Sequence, residues 1–376
     1  MALPPKVQLR FSEKLGLNLV LLQIPFLLLY TLLVSRWSKY NKGKPTNRLL
    51  FDRTARFVLE NLSVRQLPAA SPISEETYLK WMSEQKLKPV IDKLILDASL
   101  MWVGKEGMNY AIIYCHGRGY IGPLSDFQIE FWHRLQVSLQ GQKAGVQLGV
   151  AVLDYSLYPA GFPTQLHQLI SAITQIISSG LPPSHIFLAG DSAGANIILQ
   201  LIGHLLHPSP QITEHVEFPR GGHGGFGFAG ICLISPWVLS NTESKSERIN
   251  DVFDLLPTKC LTHWKNVYMA SVLDPSDQFL VQPNDAMDGW FKDIQGICSS
   301  VMITTGGREV LHDSVVKLYE NMVPYHPQAT LYVQDTGLHC DAIFDIAAKS
   351  KNPHPMEQRV FQWFYANILE KKLGGD

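Results

Sequence analysis

The sequence predicts an α/β fold in which a mostly parallel sheet is covered by helices on both faces, with one apolar helix ahead of it. Three observations carry this. Continuous apolar runs recur at Met108–Cys115, Val146–Tyr155, Ile186–Ala189, Ile231–Ile234, Ser300–Thr305 and Thr330–Gln334. Helical patterns alternate with them at Phe162–Ile177, Ala195–Leu205, Asp313–Asn321 and Met356–Leu369. Strands buried on both faces read as unbroken apolar runs, and their alternation with amphipathic helices marks a parallel sheet. Third, an uncharged stretch at Leu15–Val34 stands before all of these elements.

At 376 residues the chain can bury a large core and carry an appendage. Apolar residues make up 46% and charged residues 17%, which is a folded composition rather than a disordered one. The net charge of -1 gives no basic excess for nucleic acid, and no acidic tail is present. The cysteines Cys115, Cys232, Cys260, Cys298 and Cys340 are scattered, with no C-x-x-C pair. Neither a zinc site nor a disulfide framework is expected, and Cys115 and Cys232 read as buried strand residues.

Leu15–Val34 reads LGLNLVLLQIPFLLLYTLLV, which matches the hydrocarbon thickness of a bilayer. A signal peptide would have a shorter apolar region and a small-residue cleavage site, whereas this run ends in Ser35-Arg36-Trp37. Trp37 and Tyr40 suit a membrane interface. The expectation is a single-pass anchor over residues 15–35, in contact with lipid. Lys6, Arg10 and Lys14 precede it, and Arg36, Lys39, Lys42, Lys44 and Arg48 follow. That bias points the downstream part to the cytosol. The sequon Asn61-Leu62-Ser63 argues the other way, because Asn61 is a glycosylation site only on the lumenal side. The side stays open.

Residues 36–104 read as a linker with a cap segment, including a helix at Glu75–Glu84. The remainder, 105–376, reads as the catalytic region, with a second cap insertion at about 237–298. Pro208–Gly227 is loop material, and His223 among its glycines reads as a solvated loop histidine.

The chemistry centres on Gly190-Asp191-Ser192-Ala193-Gly194, which fits G-x-S-x-G. It follows an apolar strand and opens a helix, the context in which this motif presents a nucleophilic serine at a sharp turn. Small residues at Gly190 and Gly194 allow the turn. Acyl transfer through Ser192 also needs a base, a group to orient it, and donors for the oxyanion. His339, after the last strand, fits the base; His312 and His354 compete less well. The preceding strand is followed by Gly307-Arg308-Glu309-Val310-Leu311-His312-Asp313. Glu309 comes directly off the strand and is preferred as the acid, with Asp313 the alternative, because Asp313 also suits a helix cap. Oxyanion donors are expected from Ala193 and from the loop His116-Gly117-Arg118-Gly119.

The ordered motifs HGRG at 116–119, LDYSLYP at 153–159, FPTQLHQLISAI at 162–173, GDSAG at 190–194, GREVLHD at 307–313 and GLH at 337–339 resemble the hormone-sensitive-lipase-like branch of the α/β-hydrolase family. The resemblance implies the α/β-hydrolase fold and hydrolysis of short-acyl carboxylic esters without metal or cofactor. It also implies a triad of Ser192, Glu309 and His339, and an oxyanion hole from the amides of Gly117, Arg118 and Ala193. The chain departs from the family pattern at Arg118, Glu309 and Ala195.

With its anchor, the whole chain resembles fungal membrane-bound steryl acetyl hydrolases and related terpenoid-pathway hydrolases. That likeness implies the endoplasmic reticulum membrane and acetate esters of bulky apolar alcohols, met by an apolar cap with Trp237, Trp264, Trp290 and Phe291. The alternatives are a tailoring hydrolase or acyl-transfer enzyme of secondary metabolism and a ligand-binding receptor on the same scaffold.

Overall fold

The computed structural model describes residues 7–38, 41, 44–142, 145–213, 216, 227–240, 243–350 and 354–370. Lys6, Lys39, Tyr40, Lys42 and His223, used in the sequence reading, lie outside the described residues.

The chain opens with four helices, α1 (Phe11–Leu33), α2 (Thr46–Asn61), α3 (Gln66–Ala69) and α4 (Ser74–Glu84). Then come β1 (Val90–Lys93), β2 (Ser99–Val103), β3 (Tyr110–Cys115), α5 (Asp126–Gln142), β4 (Leu148–Asp154), α6 (Thr164–Ser178), β5 (Ile186–Asp191) and α7 (Ala193–Leu206). After these follow β6 (Gly230–Ile234), α8 (Lys245–Asn250), α9 (Thr258–Met269), α10 (Gln278–Val281), β7 (Val301–Gly306), α11 (His312–Met322), β8 (Ala329–Gln334), α12 (Asp341–Ala347) and α13 (Pro355–Tyr365).

One sheet organises them, in the order β1-β2-β4-β3-β5-β6-β7-β8. The pairs β1–β2 and β2–β4 are antiparallel and the others parallel. Successive strand side chains point to opposite faces, and both faces are packed. Ala111, Ile113 and Cys115 of β3 enter one core with α6 and α7, while Tyr110, Ile112 and Tyr114 enter the other with α5 and α13. This is why the central strands read as unbroken apolar runs.

Two expectations need correction. The sheet begins before residue 105: β1 and β2 belong to it, so residues 90–103 are not linker. β1 (VIDK) is a short edge strand with two charges, which hides it from an apolar scan. Residues 46–61 likewise form a regular helix. Arg48 and Asp52 are buried there as a pair, with Arg48 Nε 2.7 Å from Asp52 Oδ1, so charge interrupts the inward stripe.

α1 is long and apolar enough to cross a membrane. Phe11, Leu15, Leu19, Leu22, Phe26 and Leu33 are exposed, while Leu17 and Val20 pack on the core. Its first turn is tied to α3 and the residue before it: Glu13 Oε1 pairs with Arg65 at 2.9 Å, and Gln66 Nε2 donates to the Glu13 carbonyl at 2.8 Å.

Candidate active site

Ser192 joins β5 to α7 with φ 50° and ψ -117°, a conformation that costs a residue with a side chain about 1–3 kcal/mol. The surroundings hold it there. Its amide donates to the Ile234 carbonyl at 3.0 Å, and its carbonyl accepts the Trp237 amide at 3.0 Å. The tightness of the turn explains the flanking glycines. A Cβ on Gly194 would lie 1.9 Å from the Cys115 carbonyl oxygen, and one on Gly190 would lie 2.6 Å from the Gly194 carbonyl carbon.

His339 follows β8, and Glu309 follows β7. His339 Nδ1 lies 2.7 Å from Glu309 Oε1. The other carboxylate oxygen, Oε2, accepts Ser235 Oγ at 2.8 Å, Thr305 Oγ1 at 3.1 Å and the Gly306 amide at 2.8 Å. Asp313 is elsewhere, accepting the Ser246 amide at 2.8 Å from the first turn of α11. His312 starts α11, and His354 caps α13 while reaching Asp341 at 3.1 Å. Burial opposes an imidazolium at His339. The hydrogen bond and charge of Glu309, joined by Asp254 and Asp191, outweigh it and raise His339 above its ordinary value.

The oxyanion loop requires a correction. The Gly117 amide donates to Asp191 Oδ1 at 2.8 Å and is therefore occupied. Asp191 also accepts Tyr114 Oη, and Gln128 Nε2 at 3.3 Å. It fastens the loop from beneath, although burial raises its pKa. The next two residues, Arg118 and Gly119, line the cavity, and their amides have no protein acceptor among the described residues. Ala193 at the start of α7 likewise has an amide without a protein acceptor among the described residues, whereas the Gly117 amide of the expected set is taken by Asp191. His116 is fully buried and stacked on Tyr155, with ring centroids 4.4 Å apart. Desolvation lowers its pKa to about 3, so it stays neutral. Arg118 folds its guanidinium back, Nη1 donating to the Pro123 carbonyl at 2.9 Å and to Ser125 Oγ at 2.7 Å.

Ser192 and His339 share the wall of one cavity of about 210 Å³. The rest is mainly apolar: Phe51, Ala55, Val58 and Leu59 from α2, Leu67 from α3, Leu255, Leu256, Leu261 and Trp264 around α9, Trp237, Phe127 and Phe344. Trp290 and Phe291 do not join it. Trp290 stacks on His207 with centroids 4.0 Å apart, and Phe291 lies in the core. Asn61, at the end of α2, is exposed. Among the described residues no group of three or more His, Cys, Asp or Glu side chains is placed to hold a metal ion. The five cysteines are buried and unbridged.

The sequence reading put a cap segment within residues 36–104 and oxyanion donors in the His116–Gly119 loop without singling out α2 or the Gly119 amide, and it missed Asp254. Asp254 is buried and accepts the amides of Val310 at 2.8 Å and His339 at 3.1 Å. No local motif marks it, since both partners are remote in sequence.

Comparison with known proteins agrees with this architecture. The family model described as alpha/beta hydrolase fold matches residues 112–342. An acetyl-hydrolase of Streptomyces hygroscopicus is 28% identical over 211 residues, 54% of this chain and 58% of that protein. An esterase of Acinetobacter venetianus is 26% identical over 176 residues, 46% of this chain and 50% of that protein. The chain thus spans about half the length of the curated relatives it matches. Among solved structures, a fungal esterase from Rhizomucor miehei superposes with a TM-score of 0.62 at 16% identity, covering 85% of this chain and 96% of that one. An esterase from the bacterial hormone-sensitive lipase family gives 0.56 at 19% identity, covering 98% and 100%. By the residues matched, the chain belongs to the alpha/beta hydrolase fold family.

Proposed function

We propose that the protein is a membrane-attached serine esterase that removes short acyl groups, acetyl foremost, from bulky apolar alcohols such as sterols or terpenoids. The observation that carries this reading is the wall shared by Ser192 and His339 in an apolar cavity, with Glu309 bonded behind the histidine. Ser192 Oγ attacks the ester carbonyl and gives its proton to His339 Nε2. The tetrahedral oxyanion is met by the amides of Arg118, Gly119 and Ala193, each such donor being worth roughly 3 kcal/mol. The alcohol leaves with the proton from His339. Water, deprotonated by the same imidazole, then releases the acyl group as a carboxylic acid and restores Ser192. Glu309 holds the imidazole and stabilises its cation throughout.

The acyl preference is supported by the acetyl-hydrolase among the relatives, and the alcohol preference by aromatic and aliphatic cavity walls. Attachment through Phe11–Leu33, crossing the bilayer once in the endoplasmic reticulum, is supported by the helix's length and outward apolar side chains. The packing of Leu17 and Val20 and the Glu13–Arg65 pair favour a retained helix over a cleaved leader. Carbonate extraction of membranes tests attachment, and an endoglycosidase shift that depends on Asn61 tests a lumenal orientation. Hydrolysis of steryl and terpenoid acetates by the full chain tests the chemistry. Absence of turnover on these and on a generic short-chain ester would favour the receptor or specialised-tailoring reading.

A further inference from the structure

Asp254 lies in the segment between α8 and α9 and is 2% exposed. Its carboxylate spans two loops. Oδ2 accepts the amide of Val310, the residue directly after Glu309, at 2.8 Å. Oδ1 accepts the amide of His339 itself at 3.1 Å, and that of Leu255 at 2.8 Å. Nearby, Asn250 Nδ2 donates to the Glu309 carbonyl at 2.9 Å. From the opposite side, Arg56 of α2 donates through Nη1 to the Asp254 carbonyl at 2.9 Å and through Nη2 to the Asp251 carboxylate at 2.9 Å. The Asp254 side chain does not line the cavity, although Leu255 and Leu256 do.

We propose that Asp254 is a positioning residue for the Glu309–His339 pair, its one carboxylate fixing the backbones on which both are mounted, while Arg56 of α2 fixes Asp254. This assignment rests on the esterase reading. The loops after β7 and β8 come from separate parts of the chain, and a 2.7 Å bond between their side chains survives only if the two backbones stay in register. A carboxylate accepts from both at once. The isosteric amide cannot, because its NH2 group faces one of the two N–H donors. Because Arg56 sits on the helix that also walls the cavity with Ala55, Val58 and Leu59, the N-terminal region positions the pair as well as enclosing the substrate.

The groups facing His339 are Glu309 at Nδ1, Cys340 Sγ 3.5 Å from Nε2, Asp254 at its amide and Asp191 from the end of β5, with Arg56 behind Asp254. Burial pushes the Asp254 carboxyl up to about 7, so its charge is partial where His339 titrates, and removing it takes away one of the charges that favour the imidazolium.

The test uses the full chain in detergent, with Asp254→Asn, Arg56→Ala and Arg56→Lys. The downfield proton resonance of the His339–Glu309 bond is titrated in each, beside Tm and the kcat and KM for p-nitrophenyl acetate. In folded Asp254→Asn the resonance moves or broadens, its midpoint falls to lower pH, and kcat drops on the order of 10- to 100-fold with little change in KM, the scale of a displaced catalytic group. Arg56→Ala moves all three the same way by less, and Arg56→Lys recovers part. A folded Asp254→Asn with the wild-type resonance, midpoint and kcat overturns the proposal. Should Asp254→Asn fail to fold, Arg56→Ala decides by the same resonance, and an unmoved signal overturns it. Wild-type protein that shows the resonance but no turnover of any ester sinks the esterase reading alone.

Discussion

The Gly117 amide donates to Asp191 Oδ1 at 2.8 Å, and this bond leaves the amides of Arg118 and Gly119, next along the loop at the cavity wall, as the proposed oxyanion donors. Gly119 has φ +66°, and a Cβ there would lie 2.5 Å from Trp264 Cε3. Gly119→Ala therefore displaces the loop or the tryptophan. The expected result is a loss of kcat on the order of 10²-fold, the effect of one oxyanion donor, with a smaller change in KM. Steady-state kinetics on a small acetate ester check it, and an unchanged kcat would remove Gly119 from the hole.

The two acidic candidates separate cleanly. Glu309→Gln leaves His339 without its anionic partner and should lower kcat about 10⁴-fold, as loss of a triad carboxylate does. Asp313→Ala removes a hydrogen bond to the Ser246 amide and should leave kcat within a few-fold while lowering Tm slightly. The reverse outcome would reassign the acid.

Since its partners raise His339 above its ordinary value of about 6.5, the base is protonated further into the neutral range. Activity should rise with pH through a midpoint above that value. Stability runs the other way. The folded state binds this proton more tightly than the unfolded chain does, so its contribution is complete below about pH 6.5 and is lost as pH rises through the folded midpoint. Profiles of kcat/KM and Tm against pH, with Glu309→Gln beside wild type, check both signs. In the variant, both midpoints should move to lower pH.

α2 offers a test of substrate size. Ala55→Trp fills part of the cavity from the α2 wall. It should raise KM for an acetate of a bulky apolar alcohol about 10-fold while p-nitrophenyl acetate turns over nearly as before. Equal effects on both esters would mean that the alcohol does not occupy this space.

Much of the sheet was legible because its central strands are buried on both faces and carry little but apolar residues. The elbow was legible because Gly190, Ser192 and Gly194 meet a local steric demand that leaves a local trace. What escaped was set by distant contacts. β1 carries charge because it is an edge, and α2 reads as linker because Arg48, paired with Asp52, Asp341 and Asp345, puts ions on its inner side. α5 has Gln128 and Gln136 buried among its apolar residues, which blurs its period. The Gly117 misassignment has the same origin: which loop amide is free depends on Asp191, whose neighbours Tyr114 and Gln128 come from other elements. Asp254 leaves no trace in its own segment, since its role exists only when the Glu309 and His339 loops are brought together.

The most direct measurement is acetate release from a steryl or terpenoid acetate by membranes containing the full chain, beside membranes containing Ser192→Ala. Release by wild type and a fall of about 10⁶-fold, effectively to background, in the variant are the expected results. Release that survives in Ser192→Ala would contradict a serine mechanism. No release by wild type from these esters or from p-nitrophenyl acetate would contradict the esterase itself.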